Sequence, residues 1–164
     1  MSNKAQQIVE KIQQVLRQEK LPAWLFYDFR GRDPLALRIL GLDPEKHASR
    51  QWFYLVPADG KPRKLVHRIE SKQLEDLPGE TFLYSRWSEL ERGLRKLIGD
   101  GNRVAMQYSP GAAIPYVSMV DGGTLDLVRG LGVEIVSSEN LIQYLDSVWS
   151  ADQYKHCLLY TSDA

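Results

Sequence analysis

Cysteine is almost absent from this chain: Cys157 is the one thiol in 164 residues. A single thiol forms neither an intrachain disulfide nor a paired thiolate site for zinc. Histidine is scarce as well, at His47, His67 and His156. There is no His-Glu-x-x-His pair, and "HRIE", His67 to Glu70, reads as a strand entering a helix start, which points its two candidate ligands apart. Charge of one sign is lacking: 21 Lys and Arg offset 21 Asp and Glu, so no overall field draws the chain to nucleic acid or anionic lipid. No apolar run approaches the roughly 20 residues of a bilayer-spanning helix. The start, "MSNKAQQIVEKIQQVL", has charges and glutamines where a signal peptide has its apolar core. A cytoplasmic protein with no membrane and no nucleic-acid partner is the expectation. Gly-x-Ser-x-Gly, Walker and Rossmann glycine patterns are missing too, which removes the common nucleophile-elbow and nucleotide-binding readings.

What remains is an ordinary-sized domain with plentiful aromatics, large enough to bury roughly 70% of its unfolded surface. Residues 3–19 place Ile8, Ile12, Val15 and Leu16 at helical spacing, with Ser2 or Asn3 as cap. "LPAWLFYDF" reads as a buried strand. In "RDPLALRILG", Asp33 is an N-cap, Pro34 a first helical residue and Gly41 a C-cap, with Leu37, Ile39 and Leu40 facing inward. "QWFYLVPADGKPRKLVHRIE" reads as a hairpin about a Pro-Ala-Asp-Gly-Lys-Pro turn. "ESKQLEDLPG" predicts a short helix, "TFLY" a strand, and "SRWSELERGLRKLIG" a helix whose stripe is Trp87, Leu90, Leu94, Leu97 and Ile98. "VAMQYS" and "VEIVSS" read as strands, and "DGGTLDLVRGLG" and "ENLIQYLDSVW" as helices. Pro110 and Pro115 break "PGAAIPYVSMV" into a loop with short turns. This alternation with one hairpin predicts an α/β fold: a mixed β-sheet layered with helices.

The expected division is a domain over 1–149, the start of another over 150–156, and a foreign tail over 157–164. "SADQ", Ser150 to Gln153, has capping-box spacing, so a further helix is expected to begin there. "CLLYTSDA", Cys157 to Ala164, looks like the translation of a transposase end sequence used in preparing sequencing libraries.

Three places are candidates for binding. "DGG", Asp121 to Gly123, could cradle an anion on backbone N–H groups, although Asp121 would repel it and a helix cap explains it better. "KPRK" with Arg68 forms a local basic patch, expected on a solvated hairpin. The third is "AWLFYDFRGRDP", an apolar run that ends in Asp28, Arg30, Arg32 and Asp33 at the carboxyl end of a strand, where ligands gather in α/β sheets. Capping accounts for Asp33, Gly31 and Pro34. Arg30 and Arg32 are left over, either to pair with Asp28 or to face another domain or subunit.

"WLFYDFRGRDPLALRILGL", "WFYLVPADGKPRKLVHRIE", "RVAMQYSPGAAIPYVSMVDGGTLDLVRGLGVEIVSS" and "YLDSVWSADQ" together resemble the N-terminal domain of the Xaa-Pro aminopeptidase and prolidase family, the "pita-bread" metallopeptidases. The resemblance covers nearly all of 20–153 and rests on many short stretches in order. It implies a creatinase/prolidase N-terminal domain, ribonuclease H-like in fold and without catalytic or metal residues. The family's catalytic part, expected after it, holds two divalent ions (manganese, cobalt or zinc) on two Asp, one His and two Glu. None of those motifs has a counterpart here, so no metal ligand carries over. The role that does carry over is assembly: contact with the C-terminal catalytic domain, homo-oligomer formation and narrowing of access for a peptide substrate. Arg30, Arg32 and Asp28 are then the candidates for partner or substrate contact. A second reading is a non-enzymatic protein-interaction module, since the same domain family occurs in histone-chaperone subunits that cleave nothing.

Overall fold

The computed structural model describes residues 3–46 and 48–146. The expected boundary at Ser150, the 157–164 tail, Ser2, His47, His156 and Cys157 lie outside the described residues. In chain order the elements are α1 (Asn3–Gln18), β1 (Ala23–Asp28), α2 (Pro34–Leu40), β2 (Trp52–Pro57), β3 (Arg63–His67), β4 (Glu80–Tyr84), α3 (Trp87–Ile98), β5 (Arg103–Met106), α4 (Gly122–Gly130), β6 (Glu134–Ser137) and α5 (Glu139–Leu145). The strands form one six-stranded sheet in the order β4-β3-β2-β1-β5-β6. The β1/β2 and β2/β3 pairs are antiparallel, whereas β3/β4, β1/β5 and β5/β6 are parallel. The fold is therefore α/β with a mixed sheet, as the alternation of elements predicts.

Every residue of β1 is buried, because the sheet is covered on both faces. Trp24 and Phe26 pack with Val9, Ile12 and Leu16 of α1, Leu35 and Leu40 of α2, and Leu141 of α5. Leu25 and Tyr27 point the other way, toward Leu90, Leu94 and Leu97 of α3 and Leu125 and Val128 of α4. Each fully buried Leu or Phe on either face contributes roughly 1.5–3 kcal/mol. The hairpin turns as expected, and α1 clamps it: Gln13 Nε2 donates to the Pro57 and Gly60 carbonyls, and Arg17 to the Ala58 carbonyl.

α2 begins and ends where its caps predict. Asp33 accepts from the Ala36 N–H, Pro34 is the first helical residue, and Gly41 closes the helix at φ 65°. The Leu42 N–H then reaches back to the Leu37 carbonyl, the Schellman arrangement in which glycine is favoured. Leu37 itself is only half-buried; Leu35 and Ala36 join Ile39 and Leu40 in the core.

Four expectations change. "ESKQLEDLPG" is not an α-helix: after a 3-10 turn at Arg68–Glu70, successive bonds run three residues back, from Gln73 to Glu70, Glu75 to Lys72 and Leu77 to Leu74. The reason lies in Lys64. It is 5% exposed, and its Nζ donates to the Leu74 and Leu77 carbonyls at 3.0 and 2.6 Å. Tyr54 Oη does the same to the Pro78 carbonyl. Side chains from the sheet thus take the carbonyls and tie the segment down as turns. The same contact removes Lys64 from the expected basic patch; burial holds its ammonium below the ordinary lysine range, against the nearby Asp76 charge. Trp87 does not continue the buried stripe of α3. The helix starts three residues past β4, so its first turn lies at the rim of the sheet, and Trp87 is 64% exposed. Fourth, Arg30 and Arg32 do not pair with Asp28, as described next.

Candidate functional site

The site begins where β1 ends. Asp28 is buried, and both its oxygens are spent on the turn: Oδ2 accepts from the Gly31 N–H at 2.8 Å and Oδ1 from the Asp33 N–H at 2.9 Å. This loop holds Arg30 and Gly31 at φ 62° and 70°. Two consecutive left-handed residues make the chain reverse tightly; glycine adopts that conformation freely, whereas an arginine is strained in it. Arg30 and Arg32 are both exposed, with guanidinium carbons 5.7 and 5.4 Å from the Phe29 ring centroid. That is within cation–π range.

Asp33 anchors the other side of the turn. Its Oδ1 accepts from Ala36 N–H and its Oδ2 from Gln107 Nε2, while Gln107 Oε1 accepts from the Trp24 indole N–H. Gln107 follows β5, so the network ties the turn to the parallel neighbour of β1. Burial pushes the Asp33 carboxyl up to about 6; the Asp28 charge adds to this, and the hydrogen bonds from Ala36 and Gln107 oppose it.

The turn forms one wall of a cleft of about 570 Å³ at the carboxyl ends of β1, β3 and β4, walled further by Arg50, His67, Tyr84, Arg86 and Trp87. His67 and Tyr84 are register partners at the ends of β3 and β4, and their rings meet edge to face. The Ile69 N–H donates to His67 Nδ1, and Nε2 lies 3.3 Å from the Ser85 carbonyl. An acceptor at one nitrogen and a donor at the other describe the neutral Nε2–H tautomer. Tyr84 Oη donates to the Gln51 carbonyl at 2.6 Å. Burial, with the Glu70 charge adding to it, pushes this phenol up to about 12. Partial burial raises the Glu70 carboxyl, yet hydrogen bonds from the Ser49 hydroxyl and the Ser49 and Arg50 N–H groups, with the Arg50 charge, outweigh that and hold it below the usual range.

Asp121 is a helix cap. It accepts from the Thr124 N–H and hydroxyl and from the Tyr27 hydroxyl, which leaves no anion cradle. Nor do the residues fit the two divalent ions that the resemblance implies for the family. Among the described residues no group of three or more His, Cys, Asp and Glu is placed to hold a metal. His67 has both nitrogens engaged, and Asp28 and Asp33 have their oxygens committed to the turn. Sequence reasoning finds Arg30 at the cleft, with Arg32 on the same turn but outside the lining, and misses Arg50, Arg86 and Trp87. Their signal was positional: Arg50 lies just before β2, the antiparallel neighbour of β1, and Arg86 and Trp87 follow β4, which the parallel β3/β4 pairing brings to the same end of the sheet.

No protein-family model matches the chain, and no curated protein matches it in sequence. Solved structures do match. A prolidase from Thermococcus sibiricus superimposes with a TM-score of 0.66 at 16% identity, over 94% of this chain and 40% of the prolidase. The creatinase/prolidase N-terminal domain of an X-Pro dipeptidase from Streptococcus pyogenes gives 0.59 at 15% identity, over 82% of this chain and 95% of that domain. The N-terminal domain of the cytoplasmic peptidase PepQ from Mycobacterium tuberculosis H37Rv gives 0.53 at 15% identity, over 84% and 97%. The chain thus spans less than half of the full-length prolidase and nearly all of the isolated N-terminal domains. Its fold is that of the creatinase/prolidase N-terminal domain.

Proposed function

We propose that this chain is the non-catalytic N-terminal domain of a Xaa-Pro metallopeptidase of the aminopeptidase P or prolidase type, serving oligomerisation and substrate access in the cytoplasm. The observation that carries this reading is the extent of the structural match, which runs through domain-only structures to 95% and 97% of their length. The ions that polarise the scissile bond and activate water would sit in a catalytic domain outside this sequence. In this chain, Asp28 and Asp33 fix the turn, and the turn presents Arg30 and Arg32 outward. Planar guanidinium groups suit contact with a partner carboxylate or a peptide terminus.

Two tests bear on it. The purified chain, given a Xaa-Pro dipeptide with manganese, cobalt or zinc, is expected to release no proline; release that follows the chain through chromatography would overturn the reading. The parent gene is expected to encode the family's two Asp, one His and two Glu downstream; a continuation lacking them moves the assignment to the protein-interaction module.

A further inference from the structure

The cleft wall carries three arginines, Arg30, Arg50 and Arg86, against two nearby carboxylates: the Glu70 charge acts on Arg50 and the Glu89 charge on Arg86. Elsewhere, Arg17, Arg38, Arg95, Arg103 and Arg129 each have a carboxylate within 4 Å, whereas Arg32, Arg63, Arg68 and Arg92 have none among the described residues. Among the described residues Arg30, Arg50 and Arg86 have no such partner. Arg50 reaches the Ser49 carbonyl at 3.3 Å, and Arg30 lies over Phe29. The two carboxylates at this rim are already taken by other donors. Glu70 accepts from Ser49 and Arg50 N–H groups and the Ser49 hydroxyl, and Glu89 from the Ser85 and Arg86 N–H groups. Beside this charge stand two exposed apolar side chains. Trp87 is 64% exposed in the cleft wall, and Ile69, two residues beyond His67, is 77% exposed. Arginine with an exposed tryptophan is the composition of binding hot spots. The strained φ of Arg30 fits too, since strain at a position where glycine would be free is retained where the side chain is used.

We propose that this cleft docks an acidic polypeptide segment carrying an apolar side chain, with Arg30, Arg50 and Arg86 receiving its carboxylates and Trp87 its apolar group. The cleft is the size of a few side chains, which suits a short segment. The proposal needs only the cleft and stands whether or not the peptidase reading holds.

Fluorescence anisotropy on the purified 164-residue chain tests it. The probes are labelled, end-blocked Glu-Glu-Leu-Glu-Glu and its Gln-Gln-Leu-Gln-Gln counterpart. The acidic peptide is expected to bind at least about tenfold more tightly than the neutral one, and less tightly as salt rises, as for partly exposed charge pairs. Arg50→Glu with Arg86→Glu is expected to weaken it at least about tenfold, and Trp87→Ala about fivefold. Circular dichroism checks folding, and Arg50→Gln with Arg86→Gln replaces the charge reversal if that pair melts early. Absent binding, equal binding of the two peptides, or wild-type affinity in the Arg50/Arg86 variants overturns the proposal. Displacement of the acidic peptide by an equal concentration of inorganic phosphate also overturns it, in favour of a small-anion site.

Discussion

Replacing Asp33 by asparagine isolates the cost of its buried charge. Asp33 is 1% exposed, and its carboxyl is pushed up to about 6 by burial first, then by the Asp28 charge. An unfolded aspartate titrates near ~3.9. The folded state therefore holds this proton more tightly than the unfolded state does. The stabilisation is fully present below pH ~4, falls as the pH rises toward 6, and is gone above it. Two pH units at about 1.4 kcal/mol each come to about 3 kcal/mol. Asp33→Asn keeps the shape and an acceptor for the Ala36 N–H but has no proton to lose. Urea denaturation of both proteins at half-unit steps from pH 3.5 to 7.5 gives the difference curve, in which the other titrating groups cancel. That difference, wild type minus variant, is expected to fall by about 3 kcal/mol across the whole range, about 2 kcal/mol of it between pH 4 and 6. A flat curve would refute the reasoning. A rising one would mean that the donors from Ala36 and Gln107 outweigh burial and hold the carboxyl down.

Three further substitutions have definite expectations. Arg30→Gly relieves the left-handed strain at φ 62° and is expected to stabilise the chain by about 0.5–1 kcal/mol while weakening acidic-peptide binding, both read from melting and anisotropy. Lys64→Met removes the donor to the Leu74 and Leu77 carbonyls; a loss of about 2–3 kcal/mol and faster hydrogen exchange over 71–77 are expected. Gly79→Ala would set a Cβ 2.4 Å from the Pro62 carbonyl oxygen at φ +123°. It is expected to cost at least about 2 kcal/mol in urea denaturation, and unchanged stability would refute the account of the β3–β4 approach.

Much of the fold was legible because its signals are local. Asp33, Pro34 and Gly41 bracket α2 within eight residues of one another, and each acts on backbone groups three to five positions away. The hairpin turn, the two prolines of 110–117 and the leucine stripe of α3 work at the same range. The site was legible only as far as the Arg30 turn. Lys64 looked like surface because nothing in "KPRK" shows the carbonyls ten and thirteen residues later that receive it. Asp28 looked available for a partner because its role depends on how the turn folds back onto it.

Local pattern by itself determined most of the helices and strands, the caps of α2 and that the sheet is mixed, but it predicted a helix over 70–79 where side chains from the sheet hold turns. Only the tertiary structure decided which strands lie side by side. The parallel pairing of β3 with β4 and of β1 with β5 is a long-range choice made by burying both faces of the sheet at once. That choice carried Trp87 out to the rim, joined Trp24 to Gln107 across 83 residues, and brought three arginines from separate loops to one cleft.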